Sequence, residues 1–193
     1  MTLNKELRSL LYLDLIILMS GGIMMPLWAH FAKSIGGDLR TAGIAIAIIS
    51  IGGAIFTLIF SYIEEYFHCY PLFLVLASIT LCVGTGSFFF VTSSWQLYGV
   101  QGILALAAGM ENPAYSNLYD SKIEDGTAGF SWGVWDGCNA LAVGVSALVG
   151  SFLGHHLGFH FVFGFMFILS VLSLIYSLFI ANKLRLNNTL QKQ

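Results

Sequence analysis

Residues 41–63 read TAGIAIAIISIGGAIFTLIFSYI and include no charged side chain. A helix needs about 20 mostly apolar residues to cross the hydrocarbon core of a bilayer, so this stretch is long enough to span a membrane. Five further stretches of similar character fill most of the remaining chain. The predicted spans are 10–32, 41–63, 71–91, 95–118, 129–153 and 161–182. We therefore predict an all-α membrane protein with six transmembrane helices.

The composition of the whole chain supports this assignment. Hydrophobic residues make up 57% of the chain and charged residues only 9%, and the mean hydropathy is +0.81. Soluble domains carry about 25% charged residues, so this chain has too few charges to cover a globular surface in water. No polar linker divides the segments, which predicts one transmembrane domain over residues 1–193 surrounded by the lipid bilayer. The net charge of −2 provides no basic field for nucleic acid.

Residues that commonly bind metals or form disulfides are few. The three cysteines are Cys69, Cys82 and Cys138. Their odd number and wide spacing predict no disulfide framework. The histidines on the predicted outer side are His30, His155, His156 and His160. No thiolate or carboxylate accompanies them, and the motifs of metalloproteases and serine hydrolases are missing from the sequence, so we predict no metal site, no cofactor and no enzymatic activity.

The distribution of basic residues predicts the orientation. An even number of spans places both termini on one side, and six basic residues then lie on that side: Lys5, Arg8, Lys122, Lys183, Arg185 and Lys192. The other side has two, Lys33 and Arg40. Cytoplasmic sides carry the excess of Lys and Arg, so we predict cytoplasmic termini in a plasma (inner) membrane of bacterial type. Aromatic anchors are expected at the outer interface (Trp28, Trp95) and the inner one (Tyr119).

Small residues recur on the fifth span at helical spacing. One stripe contains Gly133, Gly137, Ala140 and Gly144, and a second contains Ala142, Ser146, Gly150 and Gly154. Membrane helices pack closely through such residues. At about 100° per residue the two stripes lie on different faces, which predicts close contact with two neighbours. The stripes are consistent either with general helix packing or with a specific role in transport.

A short motif occurs twice in the sequence. Gly22-Ile-Met-Met-Pro26 in the first span resembles Gly109-Met-Glu-Asn-Pro113 in the fourth, and the two spans run in opposite directions. Gly/Pro-interrupted helices in corresponding positions of two halves are typical of inverted repeats with a site at their interface. Because Gly and Pro are common in membrane helices, a chance match is the alternative. The motif predicts a three-plus-three arrangement.

Three acidic residues lie within the spans: Asp14, Glu111 and Asp136. Each is about 7–10 Å from the cytoplasmic end of its helix at 1.5 Å per residue. An ionised carboxylate is costly in lipid, so each should face the bundle interior, water or a partner, and intramembrane acids commonly mark ion pathways. The alternative is that they hydrogen-bond to neighbouring helices, an interpretation that suits Asp14 best because it is nearest the interface.

Polar residues share helical faces with these acids. On the fourth span the face contains Gln101, Ala105, Ala108, Asn112 and Ser116, and on the fifth it contains Trp132, Asp136 and Asn139. Such stripes can line a hydrated cavity or join helices by hydrogen bonds. The candidate residues of a substrate or ion pathway are Asp14, Gln101, Glu111, Asn112, Asp136 and Asn139.

Three stretches resemble motifs of the major facilitator superfamily, in its N-terminal six-helix half. The turn 61–68 (SYIEEYFH) is similar to the family's Gly-x-x-x-Asp-Arg-x-Gly-Arg-Arg, with Glu65 at the acidic position but without the glycines and arginines. Residues 98–102 (YGVQG) resemble Arg-x-x-Gln-Gly, with Tyr98 in place of arginine, and residues 146–151 resemble the antiporter motif without its proline. The resemblance implies a cytoplasmic gating role for Glu65. The missing arginine argues against proton antiport.

The resemblance also implies what the chain does. It predicts a half-size transporter subunit for a small solute, acting as a homodimer or with a second six-helix half, because one half alone would expose its cavity to lipid. The alternative is a non-transporting accessory or scaffold protein, or a truncated transporter remnant, which the incomplete motifs favour.

Overall fold

The computed structural model describes residues 2–190, with side chains as far as residue 184. Those residues form seven α-helices. They are α1 (Lys5–Gly22), α2 (Trp28–Ser34), α3 (Leu39–Phe67), α4 (Tyr70–Ser87), α5 (Ser94–Asp120), α6 (Ala128–His156) and α7 (Phe159–Leu190). Short 3-10 turns at Met25–Leu27 and Phe88–Phe90 extend α1 and α4. Of the basic residues used to predict orientation, Lys192 and the side chain of Arg185 lie outside the described part.

Four of the predicted spans fall within α3, α5, α6 and α7, the first corresponds to α1 continued by α2, and 71–91 corresponds to α4 with the 3-10 turn after it and one residue beyond. Five of the helical stretches, Lys5–Ser34, Leu39–Phe67, Tyr70–Phe90, Ala128–His156 and Phe159–Leu184, are long and apolar enough to cross a membrane. The sixth, α5, is long enough but less apolar because it carries Gln101, Glu111 and Asn112. The chain is therefore an integral, multi-pass helical membrane protein.

Local chemistry explains where the helices begin and end. Asp38 caps α3 by accepting a hydrogen bond from the Thr41 backbone N–H at 2.9 Å, while Thr41 Oγ1 accepts one from the Asp38 N–H at 3.3 Å. The hydrogen bonds from Thr41 hold the pKa of Asp38 below its ordinary value. His68, with φ of 52°, ends α3, and Pro71 occupies the first turn of α4, where proline is tolerated.

The buried side chains form two clusters at opposite ends of the bundle. One joins the start of α1 to the ends of α5 and α7, and there Glu6 pairs with Lys122 at 3.0 Å and Ser9 Oγ lies 3.0 Å from Tyr176 Oη. The start of α1 and the end of α7 therefore share one end of the bundle. Tyr119, expected as an interfacial anchor, is instead fully buried in this cluster and donates a hydrogen bond to the Ser131 carbonyl at 2.8 Å.

The helices pack in a defined set of pairs. α1 packs against α6 and α7, α5 packs against α3 and α4, and α4 packs against α7. Direct contact between α1 and α5 is slight. Two buried hydrogen bonds join α7 to its neighbours: Ser20 Oγ donates to the Met166 carbonyl at 3.0 Å, and Thr85 Oγ1 lies 2.8 Å from Ser170 Oγ.

Glycines mark the closest approaches between helices. A Cβ atom on Gly22 would overlap Ser146 of α6, one on Gly150 would overlap the Ile23 carbonyl, and one on Gly154 would meet Leu27. The second small-residue stripe of α6 therefore lies against the first span. The first stripe differs, because no described atom lies within 4 Å of a Cβ built on Gly133, Gly137 or Gly144.

Candidate functional site

A cavity of about 480 Å³ lies at the centre of the bundle. It is lined mainly by α1, α3, α4 and α5, with one residue each from α6 (Val143) and α7 (Met166), and it is partly open to the surface. Most lining side chains are apolar. The polar side chains that line it are Ser50, Ser78, Thr85, Glu111 and Asn112. A mostly apolar pocket with few polar groups is typical of a small-molecule site.

The cavity continues into a groove of about 670 Å³ between α3 and α5. Four residues line both spaces: Ile49, Ser50, Ala108 and Asn112. Asn112 is exposed in this groove, and its Nδ2 donates to Thr57 Oγ1 at 3.5 Å, a long hydrogen bond. The amide of Asn112 thus sits where the enclosed cavity meets the surface of the bundle.

Two of the three predicted intramembrane acids come together beside this cavity. Asp14 of α1 is 6% exposed, and its Oδ2 accepts a hydrogen bond from Trp135 Nε1 of α6 at 2.6 Å. The Asn139 side chain approaches the same carboxylate. Glu111 of α5 is close enough to Asp14 for their charges to act on one another. Asp14 thus bonds to a neighbouring helix and also lies near Glu111.

Asp136 occupies a different environment. Although it follows Trp135 in the chain, it is exposed on the face of α6 that carries Gly133 and Gly137. A helix turns by about 100° per residue. The side chain of Trp135 therefore points toward Asp14, whereas the side chain of the next residue, Asp136, points out of the bundle. The structure does not bring Asp136 together with Asp14 and Glu111.

Aromatic rings cover the acidic pair on the side toward the start of α1 and the end of α5. Tyr115 stacks on Trp135 with ring centroids 6.3 Å apart and on Tyr119 at 5.5 Å, and Tyr119 contacts Trp132 at 4.9 Å. Tyr115 is 3% exposed, and its hydroxyl group has no hydrogen-bond partner among the described residues. The same is true of Asn139 Oδ1. Buried polar atoms are rarely left unpaired, so these two need an explanation.

Gln101, predicted on the pathway face of α5, lies apart from the lining of the central cavity. It is fully buried, and neither amide atom has a hydrogen-bond partner within the described residues. Ala105 on the same face packs near Gly52 of α3. Ala105 therefore faces the contact between α5 and α3. Ala108 and Asn112, further along the same stripe, face the cavity and the groove.

The turn between α3 and α4 contains two different glutamates. Glu65, the predicted gating residue, is exposed and accepts a hydrogen bond from Tyr70 Oη at 3.1 Å. Glu64, which the sequence reading did not single out, is fully buried, and neither carboxylate oxygen has a partner among the described residues. A signal was available, because Phe56, Phe60 and Glu64 are spaced by four and share a helical face.

Two of the histidines lie beside phenylalanine rings. His30 lies 6.1 Å from Phe159 and His160 lies 6.4 Å from Phe89, measured between ring centroids. Across residues 2–184, no group of three or more His, Cys, Asp or Glu side chains is placed to hold a metal ion.

A multi-pass helical bundle around a central, partly polar cavity is the arrangement of a membrane transporter. The family model of the Major Facilitator Superfamily matches residues 11–193, and the chain belongs to that superfamily, whose members are transporters. The resemblance stated from the three motifs is thereby confirmed. The search of the curated proteins found no match to the chain.

Proposed function

We propose that this chain is a half-size transporter subunit that moves a small solute through the central cavity. The observation that carries the proposal is the cavity of about 480 Å³, lined by Glu111 and Asn112 and open toward the α3–α5 groove. Its apolar walls suit a small solute with an apolar body, and Glu111 can hold a positive or hydrogen-bonding group. Asp14, Asn139 and Gln101 belong to the same pathway in this proposal, Glu65 to its cytoplasmic gate, and Asp136 to the surface that meets a partner.

The fold supports a three-plus-three inverted repeat within six spans. Exchanging α1 with α5, α3 with α6, and α4 with α7 preserves the five packed pairs named above, although α6 also contacts α7 and α3 makes no comparable contact with α4. The same exchange relates the two repeated motifs. Gly22 lies at a close contact of α1 with α6, where a Cβ would overlap Ser146, and Gly109 lies at a close contact of α5 with α3, where a Cβ would overlap Phe56. This correspondence makes a chance origin of the repeated motif a poor explanation.

Cytoplasmic termini in an inner membrane of bacterial type complete the proposed arrangement. The start of α1, Lys122 and Lys183 line one space at one end of the bundle. Most of the basic residues lie at that end, which is typical of the cytoplasmic side of a membrane protein.

A second six-helix half, most simply another copy of this chain, is proposed to cover the open side of the site. The small-residue stripe of α6 and the groove between α3 and α5 are both exposed in the single chain. Glycines give lipid tails no packing advantage, whereas they allow a second helix to approach closely.

Two measurements test this function. Native mass measurement in mild detergent should find particles of two chains, or of this chain with a second six-helix half. Proteoliposomes containing the particle should then take up at least one member of a panel of labelled sugars, amino acids and amphipathic organic cations.

Variants locate the transport path. Glu111→Gln and Asn112→Ala should lower the uptake because both side chains line the cavity, while Asp125→Asn, in the exposed loop between α5 and α6, should retain it. A strictly monomeric chain that takes up no member of the panel would favour the accessory or scaffold alternative. Uptake that is unchanged in Glu111→Gln would remove this carboxylate from the mechanism.

A further inference from the structure

We propose that the line of contact between α1 and α7, at the end of the bundle where α1 begins, binds the headgroup of an anionic phospholipid. The two helices touch there through Ser9 and Tyr176, whose side-chain oxygens lie 3.0 Å apart. Three features carry the inference: exposed basic side chains, a recess beside them, and exposed aromatic rings deeper along the same two helices. The inference goes beyond the proposed transport function and does not depend on it.

The first feature is positive charge that no nearby acid offsets. Lys5 and Arg8 are exposed one turn apart at the start of α1, and Lys183 is exposed on α7. The acid in the first turn of α1, Glu6, already pairs with Lys122 of α5 at 3.0 Å. The sequence of α7, from 159 to 190, contains no acidic residue. An anionic group that approaches this surface therefore meets uncompensated positive charge.

The second feature is a recess where the start of α1, the end of α5 and α7 meet. Lys122 and Lys183 line it together with apolar side chains such as Leu10 and Ile180. Its volume of about 20 Å³ is enough for one water molecule but not for a phosphate group. The phosphate is therefore placed over the mouth of the recess, where the exposed ammonium group of Lys183 can reach it.

The third feature is a pair of aromatic positions at one depth. Tyr12 follows Lys5 by seven residues on α1, and Tyr176 precedes Lys183 by seven residues on α7. Seven residues are two helical turns, so each tyrosine lies on the same face as its lysine and about 10 Å deeper. Tyr12 is 55% exposed, and Phe179 is 58% exposed with its ring stacked on Tyr176 at 6.1 Å.

This vertical order identifies the partner. Aromatic rings with a polar tip occupy the level at which lipid headgroups meet the hydrocarbon core, and basic pockets between helices at that level bind anionic headgroups. A phospholipid presents its phosphate at the level of the lysines and its acyl chains at the level of Tyr12 and Phe179. A soluble anion or an acidic protein would use the lysines but would gain nothing from exposed rings inside the bilayer.

Native mass spectrometry of the purified chain in mild detergent tests the proposal. The probes are phosphatidylglycerol, which is anionic, and phosphatidylcholine with the same acyl chains, which is zwitterionic. We expect one phosphatidylglycerol per chain to be retained in preference to phosphatidylcholine. Lys5→Gln and Lys183→Gln should each weaken this binding about fivefold, the effect of one basic residue beside an anionic lipid surface. Lys33→Gln is the matched control, because it removes an exposed lysine of α2 on the opposite side of the predicted membrane, and should bind as the native chain does.

Thermal unfolding provides a second readout. A ligand that binds only the folded chain stabilises it, so phosphatidylglycerol should raise the unfolding temperature of the native chain and of Lys33→Gln more than that of Lys183→Gln. Inorganic phosphate should neither reproduce this rise nor displace the lipid. Equal retention of the two lipids, or equal binding by Lys183→Gln and Lys33→Gln, would overturn the proposal. Displacement of the lipid by inorganic phosphate would also overturn it, because the site would then belong to a free anion.

Discussion

At the scale of single residues, the missing side chain of Gly150 lets α6 approach the first span. A Cβ atom there would overlap the backbone carbonyl of Ile23, and backbone cannot move aside as a flexible side chain can. Overpacking of this kind costs about 1–3 kcal/mol, so we expect Gly150→Ala to reduce the free energy of unfolding by that amount. Gel filtration after heating in mild detergent would detect the loss as a lower unfolding temperature.

The matched control for this variant lies in the same helix. Gly144→Ala adds the same methyl group where no described atom lies within 4 Å. Alanine favours helix over glycine by up to about 1 kcal/mol, so this control should be neutral or slightly stabilising. Equal unfolding temperatures for the two variants would contradict the contact between Gly150 and Ile23.

Single residues also show where a sequence alone falls short. The shared depth of Asp14 and Glu111 follows from counting residues along two helices, and their proximity is seen in the structure. The rotation of each helix about its axis is harder to predict, because a span that is apolar all round carries little signal of which face is buried. Glu64 and Glu65 illustrate this, since the spacing of Phe56, Phe60 and Glu64 marks a shared face, but the packing of α3 decides that this face is buried and that Glu65 is exposed.

At the scale of helices, the two repeated motifs predict matched effects. Gly22 and Gly109 each lie at a close contact between one helix and a neighbour, against Ser146 and Phe56 respectively. We expect Gly22→Ala and Gly109→Ala each to lower the unfolding temperature. The Gly109 variant should have the lower unfolding temperature of the two, because its methyl group would meet both the backbone and the side chain of Phe56. The methyl group of the Gly22 variant would meet mainly the side-chain oxygen of Ser146.

Neighbouring glycines provide the controls for this pair. Gly21→Ala and Gly102→Ala add a methyl group on the same two helices with no described atom within 4 Å. Both should unfold at or above the temperature of the native chain. A destabilised Gly21→Ala variant with an unaffected Gly22→Ala variant would reject the correspondence between the two halves.

Hydropathy was sufficient to predict the helices because a backbone in lipid must satisfy its own hydrogen bonds. Their ends were less predictable, and α3 begins at Leu39 and ends at Phe67, beyond the predicted 41–63 on both sides. The caps explain the difference, since Asp38 and His68 lie where the chain leaves the apolar core. The central cavity could not be predicted, because six residues of the first span combine with residues of five other helices to form it.

At the scale of the whole molecule, a native cysteine reports the orientation. Cys69 is exposed in the turn between α3 and α4, whereas Cys82 and Cys138 are partly buried within helices. If the termini are cytoplasmic, a membrane-impermeant maleimide should label Cys69 only after cells are permeabilised. A cysteine introduced at Gly37, between α2 and α3, should be labelled in intact cells. The opposite pattern would reverse the proposed topology.

The exposed stripe of α6 predicts how two copies meet. Gly133, Gly137 and Gly144 have no described neighbour within 4 Å, and they lie on the face that carries Asp136. Small residues allow two membrane helices to approach closely, so Gly137→Leu should shift a dimer toward monomers in native mass measurements without lowering the unfolding temperature of the chain. Leu172→Trp, an enlargement on the exposed face of α7, should leave the dimer intact. A dimer unaffected by Gly137→Leu would place the second half on another surface, with the groove between α3 and α5 as the remaining candidate.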